Sequence, residues 1–279
     1  PRTYAKPLAK GTGMALGKKK GPAGASLLQE LVDTGEVEEL QRPGAPATPA
    51  GGGGGAAPAN RAMTEAIQLT VDEKVVVSMN RDGGLESMEV KGDLSLLITD
   101  PAFGKVTLPL RMGENAGFQF KTHPNINKQL FSGESTLGLK DASRAFPTGT
   151  ALGVLKWRLA TTDESSVPML INCWPTPEAN GGFTVNVEYE LQQSQMELRD
   201  VHIHIPVPSA DAPTIIDGEG ASYNKRESLL TWVIPVVDNA NGSGSIEFTA
   251  AVDSPDAFFP IDVRFHSQKT FCDLDVPTV

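Results

Sequence analysis

Cysteine is scarce in this 279-residue chain: the only two, Cys173 and Cys272, stand far apart with no C-x-x-C pattern. That spacing argues against a disulfide-stapled scaffold or a zinc ribbon and fits reduced thiols in the cytosol. Histidine is nearly as sparse at four residues, and aromatic side chains make up only 6%. No run of about 18 apolar residues is present to cross a membrane, and no basic-then-apolar leader opens the sequence. Motifs that carry chemistry are missing as well. There is no G-x-S-x-G, no P-loop, no G-x-G-x-x-G after a strand, no H-E-x-x-H, and no carboxylate pair in a general acid–base pattern. Neither an enzyme nor a cofactor is expected. The sequence also begins without Met and reads as part of something longer.

Turn chemistry is what the chain has in quantity. With 28 Gly and 21 Pro beside 39% hydrophobic residues, it describes a globular protein of many turns and little helix. The formal charge of −10 is unevenly placed: residues 1–66 hold eight Lys/Arg against six Asp/Glu, and residues 67–279 hold sixteen against twenty-eight. An acidic folded part argues against nucleic acid as a partner, because phosphate neutralisation needs a basic face.

Residues 1–66 read as a flexible linker, since "RPGAPATPAGGGGGAAPAN" (Arg42–Asn60) cannot bury enough apolar surface to offset its ordering entropy. Inside it, Leu27, Leu28, Leu31 and Val32 share one helical stripe, with Ser26 as N-cap and Gly35 as a stop, predicting a short helix over 25–34. Two roles stay open for it, docking on a partner or flickering in solvent, as isolated helices this short are marginal. From Ile67 the texture changes to period-two alternation. Val75, Val77 and Met79 lead into the turn "NRDGG" (Asn80–Gly84), and Leu94, Leu96 and Ile98 lead into "DPAFG" (Asp100–Gly104). "FTVNVEYEL", "SIEFTAAV" and "IDVRF" repeat the pattern, no helix is expected after residue 67, and packed antiparallel sheets follow. In "VHIHIP", Val201, Ile203 and Ile205 face opposite to His202 and His204, which reads as a half-buried strand with imidazoles toward water. A zinc site would need a third ligand that no local motif supplies. Trp157, Trp174 and Trp232 sit in or beside strands and are expected in the core.

Six stretches together, "NRDGGLESMEVKGDLSLLI" (Asn80–Ile98), "THPNINKQLF" (Thr122–Phe131), "GVLKWRL" (Gly153–Leu159), "INCWP" (Ile171–Pro175), "VNVEYELQ" (Val185–Gln192) and "DAFFPIDVRF" (Asp256–Phe265), resemble the C-terminal part of the coatomer delta-subunit family. "GMALGKKK" (Gly13–Lys20) is similar to the basic stretch of that family's linker. The wider group is the mu-homology domain shared with clathrin-adaptor medium chains. The resemblance implies an all-β, elongated domain of two antiparallel β-sandwich subdomains, the second inserted in the first. Its expected bounds are 67–152 plus 266–279 for the first subdomain and 153–265 for the second, with the first cut short where the sequence stops after "FCDLDV". Thr70 stands where adaptor chains carry an aspartate for tyrosine-based signals, so that recognition is not expected.

The same resemblance implies a non-enzymatic COPI coat subunit in Golgi-to-ER and intra-Golgi transport. It would be cytoplasmic and peripheral on the Golgi membrane and on COPI-coated vesicles. Its implied partners are the other coatomer subunits, a Dsl-type tether at the endoplasmic reticulum, Arf GTPase-activating proteins, and, through the assembled coat, an Arf-family GTPase. Tether and activating proteins are bound through tryptophan flanked by acids. Such a peptide needs an apolar slot, an acceptor for the indole N–H and cations for its carboxylates. "APTIIDGEGASYNKRE" (Ala212–Glu227) offers Ile215, Ile216, Tyr223, Lys225 and Arg226 for those tasks. Two alternatives remain: an isoleucine plugging the sandwich end with Lys225–Arg226 as a hairpin tip, and, for the whole domain, a clathrin-adaptor-like chain or a metal- or glycan-binding sandwich using His202 and His204.

Overall fold

The computed structural model describes residues 65–277 apart from 82 and 180. The helix expected over 25–34 and nearly all of the linker expected over 1–66 lie outside the described residues. Alternating apolar side chains set the architecture from Ile67 onward. Strands β1 (Ile67–Met79) and β2 (Leu85–Ile98) make a long antiparallel hairpin. Its turn carries glycine because Gly83 and Gly84 take φ of 91° and 90°, a region that costs a side chain dearly. A 3-10 turn at Pro101–Phe103 is capped by Asp100, whose Oδ1 accepts from the Ala102 N–H at 2.9 Å. Short strands β3 (Leu108–Pro109), β4 (Arg111–Met112) and β5 (Gln119–Thr122) follow.

One helix, α1 (Lys128–Glu134), then departs from the expectation of strands alone. Seven residues are too few to show a helical period. Its N-cap is nevertheless legible: Asn127 Oδ1 accepts from the N–H groups of Gln129 and Leu130. After β6 (Thr136–Leu137) comes β7 (Leu152–Thr161), and then β8 (Met169–Pro177), β9 (Phe183–Leu191), β10 (Leu198–Pro206), β11 (Thr214–Asp217) and β12 (Ala221–Asn224). The last are β13 (Leu229–Val237), β14 (Ser243–Ala250), β15 (Asp262–His266) and β16 (Leu274–Asp275).

Three four-stranded sheets result, ordered β1-β2-β7-β5, β12-β13-β10-β15 and β11-β14-β9-β8, with small pairs β16-β4 and β3-β6. The second and third sheets close over one core in which Val185, Ile203, Ile205 and Phe248 are wholly buried. The first sheet, α1 and the small pairs enclose another, around Leu94, Ile98, Leu108, Ile126 and Leu137. Each such side chain contributes roughly 1.5–3 kcal/mol through burial. The second core is built between β7 and β16, so one sandwich is inserted in the other.

Two expectations need correcting. The expected division at residues 152 and 153 falls inside β7, yet β7 pairs with β2 and β5 and places Val154, Leu155 and Trp157 in the first core. The second core begins with Met169. Alternation shows that a segment is a strand but not which distant sheet it joins. Trp174 is 61% exposed, unlike Trp157 and Trp232 at 3% and 5%. On β8 the inward positions belong to Met169, Ile171 and Cys173, which touch the second core, and the two-residue period turns Trp174 outward.

Candidate peptide-docking site

The five residues singled out in the sequence lie on one flank of the inserted sandwich, where β11 and β12 end their respective sheets. Ile215 pairs with Phe248 and packs on the second core. The register shifts between Ile215 and Asp217, which leaves Ile216 57% exposed. Tyr223 packs on the same core and its hydroxyl donates to the Val207 carbonyl at 3.0 Å. Lys225 and Arg226 are exposed at the β12–β13 hairpin tip, where the Arg226 N–H donates to Asn224 Oδ1 at 3.1 Å. Behind them the crossover from β11 to β12 needs glycine: Gly220 has φ +82°, and a Cβ there would sit 2.4 Å from the Val233 carbonyl oxygen. The structure therefore leaves one isoleucine exposed on β11 and two cations exposed at the β12–β13 tip. Ile215 and Tyr223 are spent on the core, so the apolar slot that the sequence suggested is filled from within.

The histidine pair behaves as a strand face. Val201, Ile203 and Ile205 are wholly buried, while the His202 and His204 rings lie 5.9 Å apart on the other side, opposite Arg264 and Asp262 of β15. His204 Nδ1 lies 3.1 Å from Thr231 Oγ1. Partial burial, then the nearby Arg264 charge, hold the His204 pKa below the ordinary 6.5. Among the described residues no group of three or more His, Cys, Asp or Glu is placed to hold a metal ion.

A concave site that the sequence did not suggest lies on the opposite flank. Between the end of β1 and the edge strands β8 and β15 runs a groove of about 520 Å³. Val77 and Met79 of β1, Ile171 and Cys173 of β8, and Ile261 and Phe265 contribute its apolar walls. Arg81 also lines it, with its guanidinium 4.7 Å from the centre of the Phe259 ring, and is ion-paired with Asp256. Burial pushes the Cys173 thiol up to about 11, so this wall is uncharged at neutral pH. The alternation at Val75, Val77 and Met79 did mark an inward face. Nothing local says that this face is shared with strands some hundred and two hundred positions on.

Two antiparallel sandwiches, one inserted in the other, define a mu-homology domain. The comparison with solved structures agrees: the yeast delta-COP-I mu-homology domain complexed with Dsl1 WxWxV peptide is 32% identical, with a TM-score of 0.62 over 72% of this chain and 80% of that one. The chain belongs to the adaptor complexes medium subunit family, whose model matches residues 57–279, and within it to the coatomer delta subunits. Coatomer subunit delta of Arabidopsis thaliana is 40% identical over 275 residues, covering 96% of this chain and 49% of the relative. Coatomer subunit delta-4 of Oryza sativa subsp. japonica is 38% identical over 278 residues, covering 96% and 69%. The chain thus spans about half the length of the Arabidopsis relative.

Proposed function

We propose that this domain is a non-enzymatic part of the COPI coat that captures short tryptophan-bearing acidic peptides of an endoplasmic-reticulum tether and of Arf GTPase-activating proteins. On this reading it works in Golgi-to-ER and intra-Golgi transport, cytoplasmic and peripheral on the membrane. It is held there with the other coatomer subunits and, through them, by an Arf-family GTPase. No helix among the described residues is long and apolar enough to cross a membrane. The supporting observation is the related yeast domain's complex with a WxWxV peptide. Residues at i, i+2 and i+4 project from one face of an extended strand, so that spacing reads as a peptide recognised by strand addition. This domain offers strand edges at β8, β11, β12 and β15. Coats are polymeric, so weak single contacts suffice through avidity.

The test is calorimetry of the chain with an acidic W-x-W-x-V peptide and with the same peptide carrying Ala at both Trp positions. Saturable binding that the Ala peptide lacks supports the reading. Equal binding of both, or none, ends it.

Lys225 and Arg226 serve this function by drawing the peptide's carboxylates toward an otherwise acidic domain. Reversing both, Lys225→Glu with Arg226→Glu, is expected to slow association by several-fold at low salt and hardly at all at high salt, with dissociation little changed. Stopped-flow association rates at two ionic strengths check it. A salt-independent loss would assign the hairpin tip to direct anchoring instead.

A further inference from the structure

We propose that the outward face of the sheet β11-β14-β9-β8 is a docking surface for an arginine-bearing segment of a partner protein, with one guanidinium seated on Trp174. This ligand is opposite in charge to the acidic peptide of the function proposed above, so the two readings stand or fall separately. An exposed ring is the first argument. Trp174 is 61% exposed on an edge strand, and tryptophan is among the side chains most often found as the anchor of a protein contact.

Charge is the second argument, and it fixes the occupant. The four strands of this sheet contain no Lys, Arg or His. Alternation sends Val185, Val187 and Tyr189 of β9 into the core, which turns Asn186, Glu188 and Glu190 outward. One cross-strand row runs from Trp174 through Asn186 and Glu247 to Asp217. Glu188 pairs with Asn172 in the next outward row, which makes it a diagonal neighbour of Trp174 at a backbone spacing of roughly 7–8 Å. None of Glu188, Glu190, Glu247 and Asp217 forms a side-chain ion pair or hydrogen bond with another described residue.

The third observation lies between these groups. Asn186 Oδ1 is shut off from solvent and accepts no hydrogen bond among the described residues, and it belongs to the residue directly opposite Trp174. A buried acceptor left open calls for a donor. An ammonium would answer the negative charge alone. A guanidinium answers all three features, because its flat face stacks on indole while its rim carries five N–H donors for carboxylate and amide oxygens.

The experiment is fluorescence anisotropy of a labelled S-G-R-G-R-G-S peptide titrated with the 279-residue chain, beside peptides carrying Lys or Gln at both Arg positions. Saturable binding is expected for the Arg peptide, several-fold weaker binding for the Lys peptide and none for the Gln peptide. Trp174→Ala should weaken the Arg peptide about tenfold or more, as loss of an anchor commonly does. Glu188→Gln with Glu247→Gln should weaken it several-fold. Glu114→Gln with Glu134→Gln takes the same charge from outside this sheet and should leave it unchanged. No saturable binding, unchanged affinity in Trp174→Ala, or equal losses in the two double variants each overturn the proposal.

Quenching by acrylamide gives a readout that needs no variant. Trp157 and Trp232 are 3% and 5% exposed, so Trp174 is the ring open to the quencher. Saturating Arg peptide should cut its quenching several-fold, and undiminished quenching sinks the assignment. Sedimentation supplies the last arm: a dimer that Lys225→Glu with Arg226→Glu dissociates would give the face to the hairpin tip of a second copy, against the proposal.

Discussion

Glu73→Ala is expected to cost the domain about 3–5 kcal/mol, because one carboxylate satisfies three N–H donors. Glu73 Oε2 accepts from Trp157 Nε1 at 2.7 Å and from the Cys272 N–H at 3.2 Å, and Oε1 accepts from the Phe271 N–H at 2.5 Å. The donors come from β7 and from the segment where the chain leaves the second core. Phe271 packs on the second core, whereas Cys272 and Trp157 lie in the first at 1% and 3% exposure. A charge-assisted bond contributes roughly 1.5–3 kcal/mol, and each donor stranded without an acceptor costs roughly 1–3 kcal/mol, so overlapping effects still leave a large loss.

Denaturant titration measures that loss, and Cys272 reports where the structure opens. Burial, and then the charges of Glu73 and Asp273, push its thiol up to about 12. Removing Glu73 both uncovers the thiol and takes away one of those charges. Alkylation of Cys272 under native conditions should therefore speed up by tenfold or more. Glu73→Gln keeps the shape but loses the charge and turns an amide N–H₂ toward donors, and should fall between. A loss below 1 kcal/mol with Cys272 still protected would show the carboxylate to be a bystander.

That role could not be read from the sequence, and the reason is physical. "VDEKVVV" places Glu73 between an aspartate and a lysine, the ordinary look of a solvated strand face. Its donors lie at 157, 271 and 272, and no local pattern points there. What local patterns carry is the side of each strand that is buried. Val201, Ile203 and Ile205, or Val185, Val187 and Tyr189, went where alternation sends them. Turn chemistry was legible on the same grounds, in "NRDGG" and in the hairpin tip at Lys225 and Arg226.

Pairing partners were not legible. β7 looked like the start of the second sandwich and is a central strand of the first sheet. Trp174 looked like core until the register of β8 turned it outward. The groove failed to show for the same cause, since Val77, Ile171 and Ile261 meet only after two sheets and a hairpin have been assembled. A groove lined by three strand edges is a tertiary property, and the chain's local text holds only its ingredients.

Gly92→Val should be strongly damaging although the residue has no side chain to lose. It is expected to cost about 3 kcal/mol or more, through overpacking against a buried ring. Glycine inside a strand ordinarily weakens it. Here Glu73, Gly92 and Trp157 stand in one cross-strand row on β1, β2 and β7, Glu73 opposite Gly92 and Gly92 opposite Trp157. The indole crosses over the glycine to reach the carboxylate two strands away. A Cβ at position 92 would lie 2.3 Å from the Trp157 ring, too near for any rotamer adjustment of the new side chain to relieve. The ring must leave, and its N–H leaves Glu73.

The two substitutions therefore remove overlapping parts of one arrangement. The Gly92→Val, Glu73→Ala double variant should lose at least about 1 kcal/mol less than the sum of the singles. Near-ultraviolet circular dichroism should show the Trp157 environment already altered in Gly92→Val alone. Losses that add within about 0.5 kcal/mol, as they do for distant independent sites, would mean that the glycine and the carboxylate stabilise the domain separately and that the indole does not bridge them.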